Sequence, residues 1–399
     1  FSHRGGIAGH LYLAELGGAD YAESGNAGTL DMVLALQWVK DNIESFGGDP
    51  SRVMLYGCSG CGSEIALLSG VPAADGLFHR ALISEGFMAW GVPPFFATML
   101  AERILDRLGI TIRELHKLHD LPVDQLVDAV TFPGDLAYAL SAPIPFQSYW
   151  QFYPVTDGTV LPRDPYHDGS PEGSAGVPLM LGYAKDTLNM INCSRPWVGR
   201  LDESGLRVLA ENHVGREKVD AVLAAERRAR PDPTPTQLAL AVINHRTFLQ
   251  GWTRMAEQRL KTATAPTFLY RFDYETPLYD GLWGAPHGGE FNFFLKNVDG
   301  GGYGPQFMNM YAGRSDRHEL EKILNESFLR FATDGDPGTG ALSPWPAYDL
   351  ARRSTMVFDS QCRLVEDPDP DLRQVYLDVE ECAGPGDYAR ALRYEGFAQ

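Results

Sequence analysis

The sequence predicts an α/β architecture: a mostly parallel central sheet with helices on both faces. Three observations carry this expectation. Short β-rich runs recur at 53–56, 81–84, 178–182, 266–272 and 355–359, separated by long stretches of helical character. The first run drops into Gly57-Cys58-Ser59-Gly60-Cys61-Gly62 and then into Ser63-Glu64-Ile65-Ala66-Leu67-Leu68, which reads as strand, tight turn and helix. The chain has 399 residues, 44% of them hydrophobic and 22% charged, enough to bury one large core.

The elements follow in order. Residues 25–49 leave a glycine turn and continue as an amphipathic helix, with Leu36, Val39, Ile43 and Phe46 on one face and Gly47-Gly48 as its stop. Residues 93–135 and 196–262 are largely helical, broken at Pro231-Asp232-Pro233-Thr234-Pro235. They read as helical excursions over the sheet, so 1–399 is expected to form a single domain. No internal repeat or low-complexity tract interrupts the chain.

Charge and composition narrow the partners. A formal net charge of −18 argues against nucleic acid and anionic membrane surfaces, which would repel it. No apolar run approaches the roughly 18 residues of a membrane span. Five cysteines (58, 61, 193, 362 and 382) are too few and scattered for a disulfide framework, although one bridge could form. No cofactor is expected. A zinc site is disfavoured, with two thiols at most and no histidine pair beside them.

The stretch around Ser59 has the form of a nucleophile elbow, in which a serine is held clear of the sheet on a strained turn. Positions two before and two after the serine are expected to be small, because strand and helix backbones nearly touch there. Gly57 meets the first demand. Cys61 stands at the second, with Gly62 beside it to take up strain. The Gly60 amide, at the positive end of the following helix, can donate to a developing oxyanion. Two other readings compete: a Cys58–Cys61 redox pair, whose side chains should diverge across the apex, and a site that has lost its activity.

A series of landmarks in order along the chain resembles one family. They are SHRGGIAGHLYL, GNAGTLDMVLALQWVKDNIESFGGDPSRVMLYG, LFHRALISEG, PVTDGTVLP, PLMLGYAKD, PTFLYRFDY, GAPHGGEF, FATDGDP with WPAYD, and TMVFD. Together they resemble the type-B carboxylesterases, α/β-hydrolases that include cholinesterases and bacterial p-nitrobenzyl esterases. The resemblance implies the α/β-hydrolase fold and a serine esterase acting on small-molecule esters through an acyl-enzyme. It also implies, in that family's layout, first strands and a glycine-rich oxyanion loop ahead of SHRGG. These are expected on an upstream stretch or on a second polypeptide fragment. The alternative is a relative repurposed for acyl transfer, lactonisation or elimination, or for binding.

The resemblance also assigns the remaining roles. His287, in GAPHGGEF, is implied as the general base, and Glu290 as a residue that fixes its loop. The family's acid follows a Lys-Asp pair, but here Lys185-Asp186 is followed by Thr187. The family's Gln-Ser-Gly after the preceding strand is here Ser84-Glu85-Gly86, so a carboxylate lost at one strand end is gained at its neighbour. Glu85 is therefore the expected acid, with Asp186 as the alternative. The family's usual glutamate before the serine is Cys58 here, which argues against a quaternary-ammonium substrate. Trp90, Trp150, Phe152, Trp283 and Phe291 could line an apolar pocket or belong to the core.

Overall fold

A computed structural model describes residues 1–86, 89–130, 152–300, 309–342 and 344–379. Among the described residues, six strands form one sheet in sequence order: β1 (Met54–Cys58), β2 (Arg80–Ser84), β3 (Leu179–Ala184), β4 (Thr267–Phe272), β5 (Thr355–Phe358) and β6 (Arg363–Val365). The first five run parallel, and β6 closes the edge antiparallel to β5. Five of the six match the predicted runs. The sixth has only three residues, none of them buried, and gives no hydrophobic signal.

Both faces of the sheet are covered, as a parallel sheet requires. Alternation along the strands assigns each side chain to a face. Ala81, Ile83, Leu179 and Leu181 join one core with Leu36, Ile65, Leu206, Leu238 and Trp252. Leu82, Met180, Tyr270 and Phe272 join a second core with Phe293, Phe294, Leu324 and Phe331.

Helix α1 (Ala27–Asn42) begins where predicted and tightens into a 3-10 turn over Ile43–Phe46. That change of period removes Phe46 from the buried face. It is 72% exposed and lies against Trp38, with ring centroids 5.8 Å apart. Helices Pro94–Leu108 and Val123–Val130, with a 3-10 stretch at Ile112–Asp120 between them, occupy the described part of 93–135. The 196–262 excursion becomes Glu203–Val214, Val219–Arg228 and Pro235–Asn244, then a π-helical turn at His245–Leu249 and a last helix, Gln250–Arg259. Its proline break ends in a helix start: Thr234 and Gln237 form a capping box and Pro235 opens the first turn.

Candidate active site

Register places the site. Cys58 pairs with Ser84, and Ser84 with Gly182, so β1 and β2 end level with one another and β3 runs two residues further. The ladder then runs one residue further. The Ser59 amide donates to the Ser84 carbonyl at 2.8 Å, and the Glu85 amide donates to the Gly182 carbonyl at 2.8 Å. Ser59 and Glu85 are thus neighbours at the carboxyl ends of adjacent strands, where open α/β sheets place their chemistry.

Both residues sit on left-handed backbone, Ser59 at φ 62° and Glu85 at φ 52°. Such conformations cost about 1–3 kcal/mol each and persist where the surroundings enforce them. The enforcement here is backbone contact. A Cβ on Gly57 would lie 2.7 Å from the Cys61 carbonyl carbon, and one on Gly62 would lie 2.8 Å from the Ser84 carbonyl oxygen and 3.0 Å from the Gly86 nitrogen. Position 61 carries no such demand, since Cys61 is exposed on helix α2 (Gly60–Leu68). The tight position after the serine is therefore 62, one later than the sequence reading placed it. Cys58 is buried while Cys61 faces solvent, so the two thiols do diverge.

His287 reaches this corner from the loop after β4. Its Nδ1 is in contact with the Glu85 carboxylate oxygen Oε2, and the Gly288 amide donates to Oε1 of the same carboxylate at 3.1 Å. Glu85 is wholly buried, whereas the imidazole keeps 18% of its surface, enough to meet a reactant. Burial pulls the His287 pKa down, but the Glu85 charge and hydrogen bond pull harder. The imidazole titrates above its ordinary 6.5.

Asp186 and Thr187 are occupied elsewhere. The Ala285 amide donates to Asp186 Oδ2 at 3.1 Å, and the Asp186 amide donates to the Ala285 carbonyl at 3.0 Å. Asp186 thus holds the base of the histidine loop, two residues from His287. Burial pushes its carboxyl up, against the pull of Lys185 and the Ala285 amide. The Thr187 hydroxyl donates to the Ala184 carbonyl at 2.6 Å.

Cys58 also belongs to this corner. Its Sγ, a Glu85 oxygen and a His287 nitrogen lie within 4.8 Å of one another, and the sequence reading did not foresee that grouping. Thiol, carboxylate and imidazole are donors that a zinc-type ion accepts. Here the carboxylate and Nδ1 already engage each other, and an ion would have to displace that pair. The arrangement matches a base with its orienting acid. Of the expected pocket aromatics, Trp283 is buried and Phe291 stacks on Tyr56 at 5.8 Å. Trp150 lies outside the described residues. No two of the four described cysteines are bridged to each other, and Cys382 lies outside the described residues.

Residues 1–369 match the profile of the carboxylesterase family. The chain belongs to that family. It is by class a serine-type carboxylic ester hydrolase, and the non-hydrolytic alternative is not favoured. Among its relatives, the para-nitrobenzyl esterase of Bacillus subtilis (strain 168) is 30% identical over 384 residues, covering 94% of this chain and 71% of that protein. Phenmedipham hydrolase of Pseudarthrobacter oxydans is 26% identical, covering 86% of this chain and 66% of its own length. The crystal structure of a Geobacillus stearothermophilus carboxylesterase superposes with a TM-score of 0.77 at 31% identity, covering 94% of this chain and 74% of that one. No helix among the described residues is long and apolar enough to cross a membrane.

Proposed function

We propose that this chain cleaves small-molecule carboxylic esters with Ser59 as nucleophile, His287 as general base and Glu85 as the acid. Ser59 attacks the ester carbonyl and His287 takes its proton. The amide of Gly60, at the N-terminus of α2, donates to the oxyanion, and His287 returns the proton to the departing alcohol. Water, deprotonated by the same imidazole, then releases the acid and restores Ser59. Glu85 holds the tautomer with the proton on Nδ1 and supports the imidazolium. The supporting observation is the Glu85 carboxylate on Nδ1, while Asp186 is engaged with Ala285.

The test is labelling and turnover together. A fluorophosphonate should modify Ser59 stoichiometrically, and a short p-nitrophenyl ester should turn over with loss of activity on labelling. Labelling elsewhere, or turnover unaffected by labelling at Ser59, would overturn the assignment.

The 399 residues are read as one α/β-hydrolase domain whose sheet continues beyond β1. Among the described residues β1 pairs only with β2, and its Met54, Leu55 and Tyr56 are half-buried. Strands for that edge, and the second oxyanion donor, are assigned to a segment outside this sequence, upstream in the same protein or on a second polypeptide. Intact mass of the purified active enzyme decides it, because full activity from a soluble 44.0 kDa monomer would refute the assignment.

A further inference from the structure

The carboxyl group of Glu290 has a role beyond fixing the histidine loop. It stands three residues after His287 and is completely buried. Its Oε1 accepts from the Ser84 hydroxyl and, at 3.2 Å, from the Tyr270 hydroxyl. Its Oε2 has no hydrogen-bond donor among the described residues. The Glu85 carboxyl is a hydrogen-bonding neighbour of the Glu290 carboxyl, whose Oε1 is held by Ser84, the residue before Glu85. Two buried carboxyl groups this close disfavour a second charge, which favours one shared proton.

The geometry tells which member holds it. Both Glu85 oxygens are engaged, Oε1 accepting from the Gly288 amide and Oε2 in contact with Nδ1 of His287. Glu290 has an oxygen with nothing to accept. A proton placed there satisfies that oxygen and bridges to Glu85. The other titratable groups facing the pair are the Cys58 thiol, whose Sγ lies within 4.8 Å of a Glu85 oxygen, and the phenols of Tyr270 and Tyr311, both held neutral by burial and by the nearby carboxyls.

We propose that Glu290 is a positioning residue: as the neutral member of a buried carboxyl pair it donates its proton to Glu85, giving that carboxylate a third donor and fixing it against His287. This rests on Glu85 being the triad acid. In support, burial and then the Glu85 charge hold the Glu290 carboxyl well above the usual carboxylate range.

The test compares two substitutions. Glu290→Leu removes the donor and should lower kcat by about 10–100-fold with KM little changed, the scale of a misplaced catalytic group. Glu290→Gln keeps a neutral side chain with an N–H for Glu85 and an oxygen for Ser84 and Tyr270, and should restore most of that loss. It should also leave the midpoint of the acid limb of kcat/KM in place, because no charge is removed. A midpoint lowered by about a unit or more in Glu290→Gln would mean that Glu290 was ionised, and would overturn the proposal. So would a Glu290→Gln enzyme as slow as Glu290→Leu, or a Glu290→Leu enzyme as fast as wild type.

If the leucine variant does not fold, infrared difference spectra of the wild type and Glu290→Gln decide. A protonated carboxylic-acid C=O band must be present in the first and lost in the second, and its persistence refutes the assignment. Failure of the underlying reading is separate: a fully active Glu85→Gln enzyme would remove the triad assignment itself, whatever Glu290 does.

Discussion

Replacing Glu85 with glutamine tests the site most directly, and the structure sets the size of the effect. The Gly288 amide donates to one oxygen of Glu85, and Nδ1 of His287 faces the other. In Glu85→Gln the single amide oxygen is claimed by the Gly288 N–H, which turns the amide NH2 toward Nδ1. An imidazole that accepts at Nδ1 carries its proton on Nε2, and that nitrogen can no longer take one from Ser59. Wrong tautomer and lost imidazolium support together lower kcat by about 10³–10⁴-fold, or about 4–5.5 kcal/mol in the barrier. The matched control is Asp186→Asn. Its side-chain oxygen can still accept from the Ala285 amide, so kcat should fall by no more than about 10-fold.

The assay is kcat/KM for a p-nitrophenyl ester across pH, normalised by fluorophosphonate titration of active sites. Catalysis needs neutral His287, so activity rises with pH through its pKa, and the acid limb in the parent enzyme should lie above 6.5. In Glu85→Gln the upward pull is gone and burial remains, so the limb of the residual activity should move down. Near-parent turnover in Glu85→Gln, with a thousandfold loss in Asp186→Asn, would refute the reasoning.

Other outcomes follow from the same geometry. Ser59→Ala should lose at least about 10⁴-fold in turnover and all fluorophosphonate labelling. Gly62→Ala sets a methyl against the Ser84 carbonyl and the Gly86 amide, backbone atoms that cannot swing aside. It should cost about 1–3 kcal/mol in denaturant unfolding and, by shifting the turn that carries Glu85, lower kcat as well. Cys61→Gly restores the familiar spacing at an exposed position and should stay within about 1 kcal/mol in stability and about threefold in kcat/KM. Away from the site, buried Glu226 accepts from Tyr376 at 2.6 Å and pairs with Arg230 and with His245 at 2.7 Å. Burial raises its pKa, but His245 and Arg230 outweigh it and leave it below 4.5. The stabilisation is then present above that ordinary value and lost as pH falls through the depressed one. Glu226→Gln should cost about 3–5 kcal/mol near neutral pH and less in acid, read from urea midpoints against pH.

The sheet was legible in the sequence because its strands are apolar on both faces, so each appears as an uninterrupted run between glycine and polar punctuation. What escaped was short or depended on distant contacts. β6 has three residues and Arg363 at its exposed end. Phe46 obeys helical spacing on paper, but a 3-10 turn shifts it to the surface. In the site, two anomalies could be read against each other, Thr187 without a carboxylate and Glu85 with one, and Glu85 is in contact with His287. The tight position at Gly62 was half seen, because its need comes from Ser84, at the end of another strand, and Gly86 just beyond it. The Ser84–Glu290 contact joins residues 206 apart, and no local pattern announces it.

The histidine loop is gripped from two strand ends at once, by Asp186 from β3 at Ala285 and by Glu85 from β2 at Gly288 and His287. That double hold makes the acid transferable during evolution. An ancestor carrying carboxylates at both ends would keep the loop seated while either one served the imidazole, and the original could then decay to threonine without a non-functional intermediate. The sheet acts as a fixed mounting with two sockets for a carboxylate, one at the end of β2 and one at the end of β3.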